Sequence, residues 1–89
     1  MKDMNTKKMN KLPEWFNGMV YDKGEMVQNQ FSGEEIYLNA TELSMYDFIK
    51  GVEMVSQMTG WNDKYIDLMH KGLDWFRKSN PTAYMVLLD

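Results

Sequence analysis

The sequence predicts a single α+β domain: a short three-stranded antiparallel β-meander packed against two antiparallel helices, with a short C-terminal helical turn alongside. Three observations lead there. Residues 63–78 sort into one apolar and one charged helical face, Asn39 and Glu42 stand at the spacing of a helix start, and residues 19–38 are short apolar stretches punctuated by glycines. The 89 residues make one domain with a modest core. An aromatic share of 13% and a hydrophobic share of 44% suit a globular fold and argue against a disordered chain.

The N-terminal part, residues 1–12, is polar and holds Lys2, Lys7, Lys8 and Lys11 against Asp3. It is expected to be a flexible basic leader, with the folded domain running over 13–89. The leader carries +3 and the remainder −6. Pro13 to Gly18 suits one helical turn, because proline tolerates the first turn and glycine ends one. Trp15 and Phe16 would anchor that turn.

Residues 19–38 read as the meander. Met19-Val20-Tyr21 is the first predicted strand, and Asp22-Lys23-Gly24 a loop with Gly24 in the left-handed conformation of a bulged hairpin. Met26-Val27-Gln28 returns, Asn29 to Gly33 turns again, and Glu35 to Leu38 forms the third strand. Alternation puts Ile36 and Leu38 on one face and Tyr37 on the other. Strands this short need a helix over one face.

Asn39 and Glu42 form a capping-box pattern that opens the first helix, expected to reach Met58 and stop near Gly60. Its main stripe is Met45, Phe48, Ile49, Val52 and Val55, with Leu43, Met54 and Met58 widening the apolar arc. Tyr46, Lys50, Glu53 and Gln57 mark the wet side. The second helix is capped by Asn62, and Asp67–Lys71 and Asp74–Lys78 are favourably ordered pairs four residues apart. Gly72 sits on its apolar face and Gly51 interrupts the first helix, so the two helices are expected to cross near these glycines. Asn80-Pro81 ends the second helix, and Pro81 starts one last turn through Tyr84. The apolar end Tyr84-Met85-Val86-Leu87-Leu88 should dock on the domain or meet a partner.

Little in the chain carries chemistry. There is no cysteine, which excludes disulfides, thiol catalysis and zinc–thiolate sites. His70, the one histidine, lies on the charged helical face and reads as solvated. Glu34-Glu35 and Asp22 lack calcium-loop spacing. Tyr21, Phe31 and Tyr37 could stack single-stranded bases, but Lys23 alone among four acids is a poor phosphate surface. No cofactor and no metal is expected, and no apolar run is long enough to span a membrane. A secretion signal is also lacking, so the cytoplasm is the expected location.

What stands out is ten methionines, a residue that adapts to irregular interfaces. The expected function is a non-enzymatic protein-interaction module, binding a protein partner or a second copy of itself. Its candidate surface is Tyr84, Met85, Leu87, Leu88, Met54 and Met58. One alternative is a nucleic-acid-binding accessory protein using the basic leader. A remoter one is a carboxylate-based enzyme drawing on Asp22, Glu35 and Asp47.

Several stretches carry a family resemblance. They are Glu42-Leu43-Ser44-Met45-Tyr46-Asp47-Phe48-Ile49-Lys50-Gly51, Lys71-Gly72-Leu73-Asp74-Trp75-Phe76-Arg77-Lys78, then Asn80-Pro81 and Tyr84-Met85-Val86-Leu87-Leu88-Asp89. The chain resembles a small uncharacterised protein family of marine T-even-type tailed phages. The turn Asn29-Gln30-Phe31-Ser32-Gly33-Glu34 fits too, with glutamine where proline is more usual. The resemblance spans residues 15–89 and leaves the leader uncovered. It implies a phage origin and the host cytoplasm, and supplies no activity, ligand or site residue.

Overall fold

A computed structural model describes residues 11–89. In order these form strand β1 (Glu25–Gln28), strand β2 (Glu35–Leu38), and helices α1 (Ala40–Thr59), α2 (Asp63–Ser79) and α3 (Pro81–Leu87). The class is α+β, as expected. The sheet, however, has two strands, and the C-terminal turn is a seven-residue helix. Residues 1–10 of the predicted leader lie outside the described residues. Lys11 and Leu12, placed with the leader, belong to the domain. The Trp75 indole Nε1–H donates to the Lys11 carbonyl at 3.0 Å, and Leu12 packs on the core.

β1 and β2 pair antiparallel, Glu25 opposite Leu38 and Val27 opposite Ile36. Alternation holds: Leu38 is buried and Ile36 half-buried, while Tyr37 faces out opposite Met26. The connecting turn is built around Asn29. Its Oδ1 accepts from the N–H groups of Phe31 (2.7 Å) and Ser32 (3.1 Å), and Gly33 takes the positive φ of 83° that closes the hairpin. The Asn29 side-chain amide also donates to the Val86 carbonyl at 2.7 Å, tying the hairpin tip to α3 across 57 residues.

The predicted first strand does not form. Met19 and Val20 are exposed, and the Tyr21 N–H donates to the Ser44 hydroxyl on α1 at 2.9 Å rather than to a neighbouring strand. Ser44 in turn donates to the Ala40 carbonyl, so one hydroxyl couples this segment to the helix. Gly24 is likewise not left-handed. Its role is close approach: a Cβ there would run into the Leu38 carbonyl oxygen and lie 2.7 Å from the Asn39 Cα.

α1 opens with both arms of the capping box in place. The Glu42 N–H donates to Asn39 Oδ1 at 2.8 Å, and the Asn39 N–H donates back to Glu42 Oε1 at 3.1 Å. Gly60 ends the helix at φ 97° with its N–H on the Ser56 carbonyl. Asn62 caps α2 through the Tyr65 N–H. Asn80 serves two helices, closing α2 with its N–H on the Phe76 carbonyl and opening α3 with Oδ1 on the Ala83 N–H. Pro81 at the first position then supplies a preset φ.

The core gathers Leu38, Leu43, Met45, Ile49, Phe76, Ala83 and Leu87. Burial of these apolar side chains is the main favourable term of the fold. Phe16 and Trp15 close one side, their ring centroids 5.3 and 5.9 Å from that of Phe48. Tyr46, predicted wet, turns inward and its ring lies 6.5 Å from that of Phe76. The helix crossing falls at Gly72, where an added Cβ would meet Ile49 Cγ1 at 3.0 Å. Gly51 does not share in it: the glycine is exposed, and none of the described residues beyond its own stretch of helix lies within 4 Å of where its Cβ would be.

These environments give opposite expectations for two alanine substitutions. Gly51→Ala gains helix propensity with no clash and should stabilise the protein by about 1 kcal/mol. Gly24→Ala forces backbone apart and should destabilise by ~1–3 kcal/mol. Thermal or urea unfolding of the two variants checks both signs.

Candidate interaction surface

The predicted surface residues divide according to where their backbone lies. Leu87 is a correction: it is buried in the core and unavailable to a partner, because α3 docks on α2 and β2 through Ala83 and Leu87. Tyr84 and Leu88 are half-buried against the same core. Met85, on the opposite side of α3, is exposed. Met54 and Met58 project from the C-terminal half of α1, 61% and 77% exposed. Val55, expected in the buried stripe, is 41% exposed. Trp61, in the link to α2, is 47% exposed.

The helix geometry explains this division. Met45, Ile49, Val52 and Ser56 fill one side of α1 and are buried. Gly51, Met54, Val55 and Met58 have the i, i+3, i+4, i+7 spacing of a second stripe. At the N-terminal end of α1 that second side is covered, since Tyr21 bonds to Ser44 and Phe16 and Trp15 pack on Phe48. From Gly51 onward the cover stops. A mainly apolar groove of about 320 Å³ remains there, walled by Met19, Phe48, Gly51, Val52, Val55 and Tyr65, with the carboxylate-bearing Asp47 at its edge.

Two other depressions are edged by charged side chains. One, of about 500 Å³, lies between α2 and α3 beside His70, Lys71, Asp74, Arg77 and Tyr84. Its charges are engaged with one another. Asp74 pairs with Arg77 at 2.7 Å and Lys78 at 3.1 Å, and Lys71 pairs with Asp67 at 3.1 Å. The hydrogen bond from Lys78, with the charges of Lys78 and Arg77, holds the Asp74 carboxyl below its ordinary value. That contribution to stability is present above pH 3.8 and is lost as pH falls through the lower folded value.

The third depression, about 380 Å³, brings Tyr21 of the connecting segment to Glu25 of β1 and Asp47 of α1. The Tyr21 phenol is pushed above its ordinary value, first by desolvation and then by the charge and hydrogen bonding of Asp47, with Glu25 adding to it. Asp22, Glu35 and Asp47 are each exposed, and neither Asp22 nor Glu35 lines the cavity beside Asp47. Tyr21, Phe31 and Tyr37 make no common platform: Tyr21 packs on the core, and Phe31 stands fully exposed at the hairpin tip. Among the described residues no three His, Asp or Glu side chains are grouped to hold a metal ion, and no helix is long and apolar enough to cross a membrane.

The outward stripe of α1 was present in the sequence as spacing. The breadth of the apolar arc implies contact on more than one side of the helix, but nothing local says which side a neighbour covers. The Tyr21–Asp47 pair, separated by both strands and their connecting turn, has no sequence signal. Comparison with known proteins found no matching protein family, curated protein or solved structure.

The Tyr21 environment is open to titration. A phenol whose folded pKa is raised contributes stability that is fully present below pH 10.0 and is lost as pH rises through the folded value. Site-resolved NMR of the tyrosine Cζ resonances should show Tyr21 titrating above 10.0, and Asp47→Asn should move it part-way back. An unmoved Tyr21 would mean that its phenol and the Asp47 carboxylate do not interact in solution.

Proposed function

We propose that this protein is a non-catalytic interaction module that binds another protein chain through the methionine-bearing outer face of α1. The observation carrying this reading is the groove at Gly51 flanked by the exposed side chains of Met54, Val55 and Met58. Large apolar side chains gathered at one place on a small domain are a feature of interaction sites. Methionine suits such a face, because its flexible, polarisable chain adapts to a partner without a fixed shape.

Charge supports the same reading. Lys71, Arg77 and Lys78 of α2 pair with Asp67 and Asp74 of their own helix, which leaves much of its charged face self-neutralised. The apolar face of α1, by contrast, gains from contact with a second protein, through removal of hydrocarbon from water. Met85, on α3, is a secondary contact in this proposal. The resemblance to a phage family adds the proposal that the partner is met in the cytoplasm of an infected host.

A photo-crosslinking amino acid placed at Met58, and separately at Thr82 on α3 as a control, tests the assignment. Covalent protein adducts should form at position 58 and be nearly absent at 82. Met54→Glu in the same chain should suppress them while leaving the unfolding free energy within about 0.5 kcal/mol of the parent, since the site is exposed. Equal labelling at both positions, or none at 58, refutes the reading.

A further inference from the structure

We infer that the cavity between β1 and the first turns of α1 is a binding site for a guanidinium group, lined by the Tyr21 and Tyr46 side chains and the carboxylate-bearing Glu25 and Asp47. The site does not rest on the apolar stripe of Met54, Val55 and Met58. Of the residues lining this cavity and the Gly51 groove, only Asp47 is common to both.

The charge of the lining is one-sided. Glu25 comes from β1, Asp47 from α1, and no lysine, arginine or histidine stands among the residues around the 380 Å³ space. Among the described residues neither carboxylate takes part in an ion pair. Lys50, one turn on from Asp47, is engaged with Glu53 at 3.3 Å, and Lys23 is exposed in the loop before β1, outside the lining. Two negative charges therefore meet at one concave place without a counter-charge, which concentrates cations there. The Tyr21 phenol registers both of them: Asp47 and then Glu25 add to the desolvation that raises it.

Hydrogen-bonding capacity narrows the kind of cation. Carboxylates only accept. Gln28 gives its side-chain nitrogen to the Gly33 carbonyl at 3.1 Å, so what it offers a ligand is its oxygen. The Tyr21 hydroxyl bonds to Asp47, which commits its proton. A wall rich in acceptors suits a ligand rich in donors. Guanidinium carries five N–H donors in one plane when attached to an alkyl stem, whereas an ammonium is a compact and strongly hydrated point charge.

The rings point the same way. Tyr21 and Tyr46 pack on the core yet stay half-buried, so ring surface is left for a ligand. A planar, weakly hydrated cation stacks on such surfaces better than a hydrated one. Val27 and Leu43 supply hydrocarbon for the stem, and the volume is at the lower end of small-molecule sites.

Titration with ethylguanidinium chloride, against sodium chloride at equal ionic strength, tests the assignment by amide NMR. Shifts at Glu25 to Gln28, Tyr46 and Asp47 should saturate with a Kd of about 1–10 mM, as befits so small a probe. At saturation Tyr21 should titrate at lower pH than in the free protein, because a cation then lies beside Asp47. Asp47→Asn and Glu25→Gln, both at exposed positions, should each weaken binding about 5-fold. Asp63→Asn removes the same charge from the start of α2 and should leave the Kd within about 2-fold. Ethylurea, similar in shape but uncharged, should not bind, and ethylammonium should bind at least ~3-fold more weakly. N-acetylarginine methylamide separates the two sources of this head group: binding as tight as that of ethylguanidinium supports a peptide side chain, and weaker binding a free small molecule. Shifts that match the sodium chloride control, that fail to saturate, or that respond alike to Asp47→Asn and Asp63→Asn overturn the inference. Equal binding of ethylammonium or ethylurea overturns it as well.

Discussion

The fold depends on the seating of α1 against α2 at Gly72. There the lack of a Cβ lets Ile49 and Met45 close on the α2 backbone, with Phe76 buried one turn further along. This contact aligns the two longest elements, and the remaining parts attach to what it creates. α3 follows α2 through the shared cap Asn80 and lays Ala83 and Leu87 against the same core. β2 enters α1 through the Asn39–Glu42 box, which puts Leu38 into the cluster from the other side.

Two polar links convert this packing into a specific arrangement. The Asn29 amide on the Val86 carbonyl joins the hairpin turn to the last helix. The Trp75 indole on the Lys11 carbonyl does the same for the entering chain. Neither is large in energy, since a single neutral hydrogen bond contributes about 1 kcal/mol net. Both span long sequence separations, so they choose among ways of wrapping the same apolar surface. A two-stranded hairpin is marginal alone. Here it is held by α1 above and by α3 at its tip.

One consequence is an uneven covering of α1. Residues 12–21 pack on Phe48 and Ser44, and Gly18 and Met19 form one wall of the groove at Gly51, Val52 and Val55 without filling it. The helix nevertheless runs on to Thr59, since it is propagated by its own hydrogen bonds until Gly60 breaks the geometry. Its last two turns therefore carry an apolar stripe with nothing of the described chain over it. The proposed interaction surface is that stripe.

Local signals were legible because they act over three or four residues. The Asn39–Glu42 box, the Asn62 cap, the Pro81 start, the α2 ion pairs and the alternation of Ile36, Tyr37 and Leu38 each follow from spacing alone. The misread elements all turned on a distant partner. Met19 to Tyr21 has strand composition, yet Ser44, 23 residues from Tyr21, takes its N–H. Gly24 read as a turn residue but serves the close passage of Leu38 and Asn39. Tyr46 looked wet until Phe76 was beside it, and Gly51 was paired with Gly72 because glycine in a helix looks the same whether a neighbour fills the space or leaves it open. By itself, then, the amino-acid order determined where helices start and stop, which faces are apolar, and that thiol chemistry is impossible. Tertiary structure decided which apolar faces meet each other and which stay bare, because burial is a property of the second surface as much as of the first.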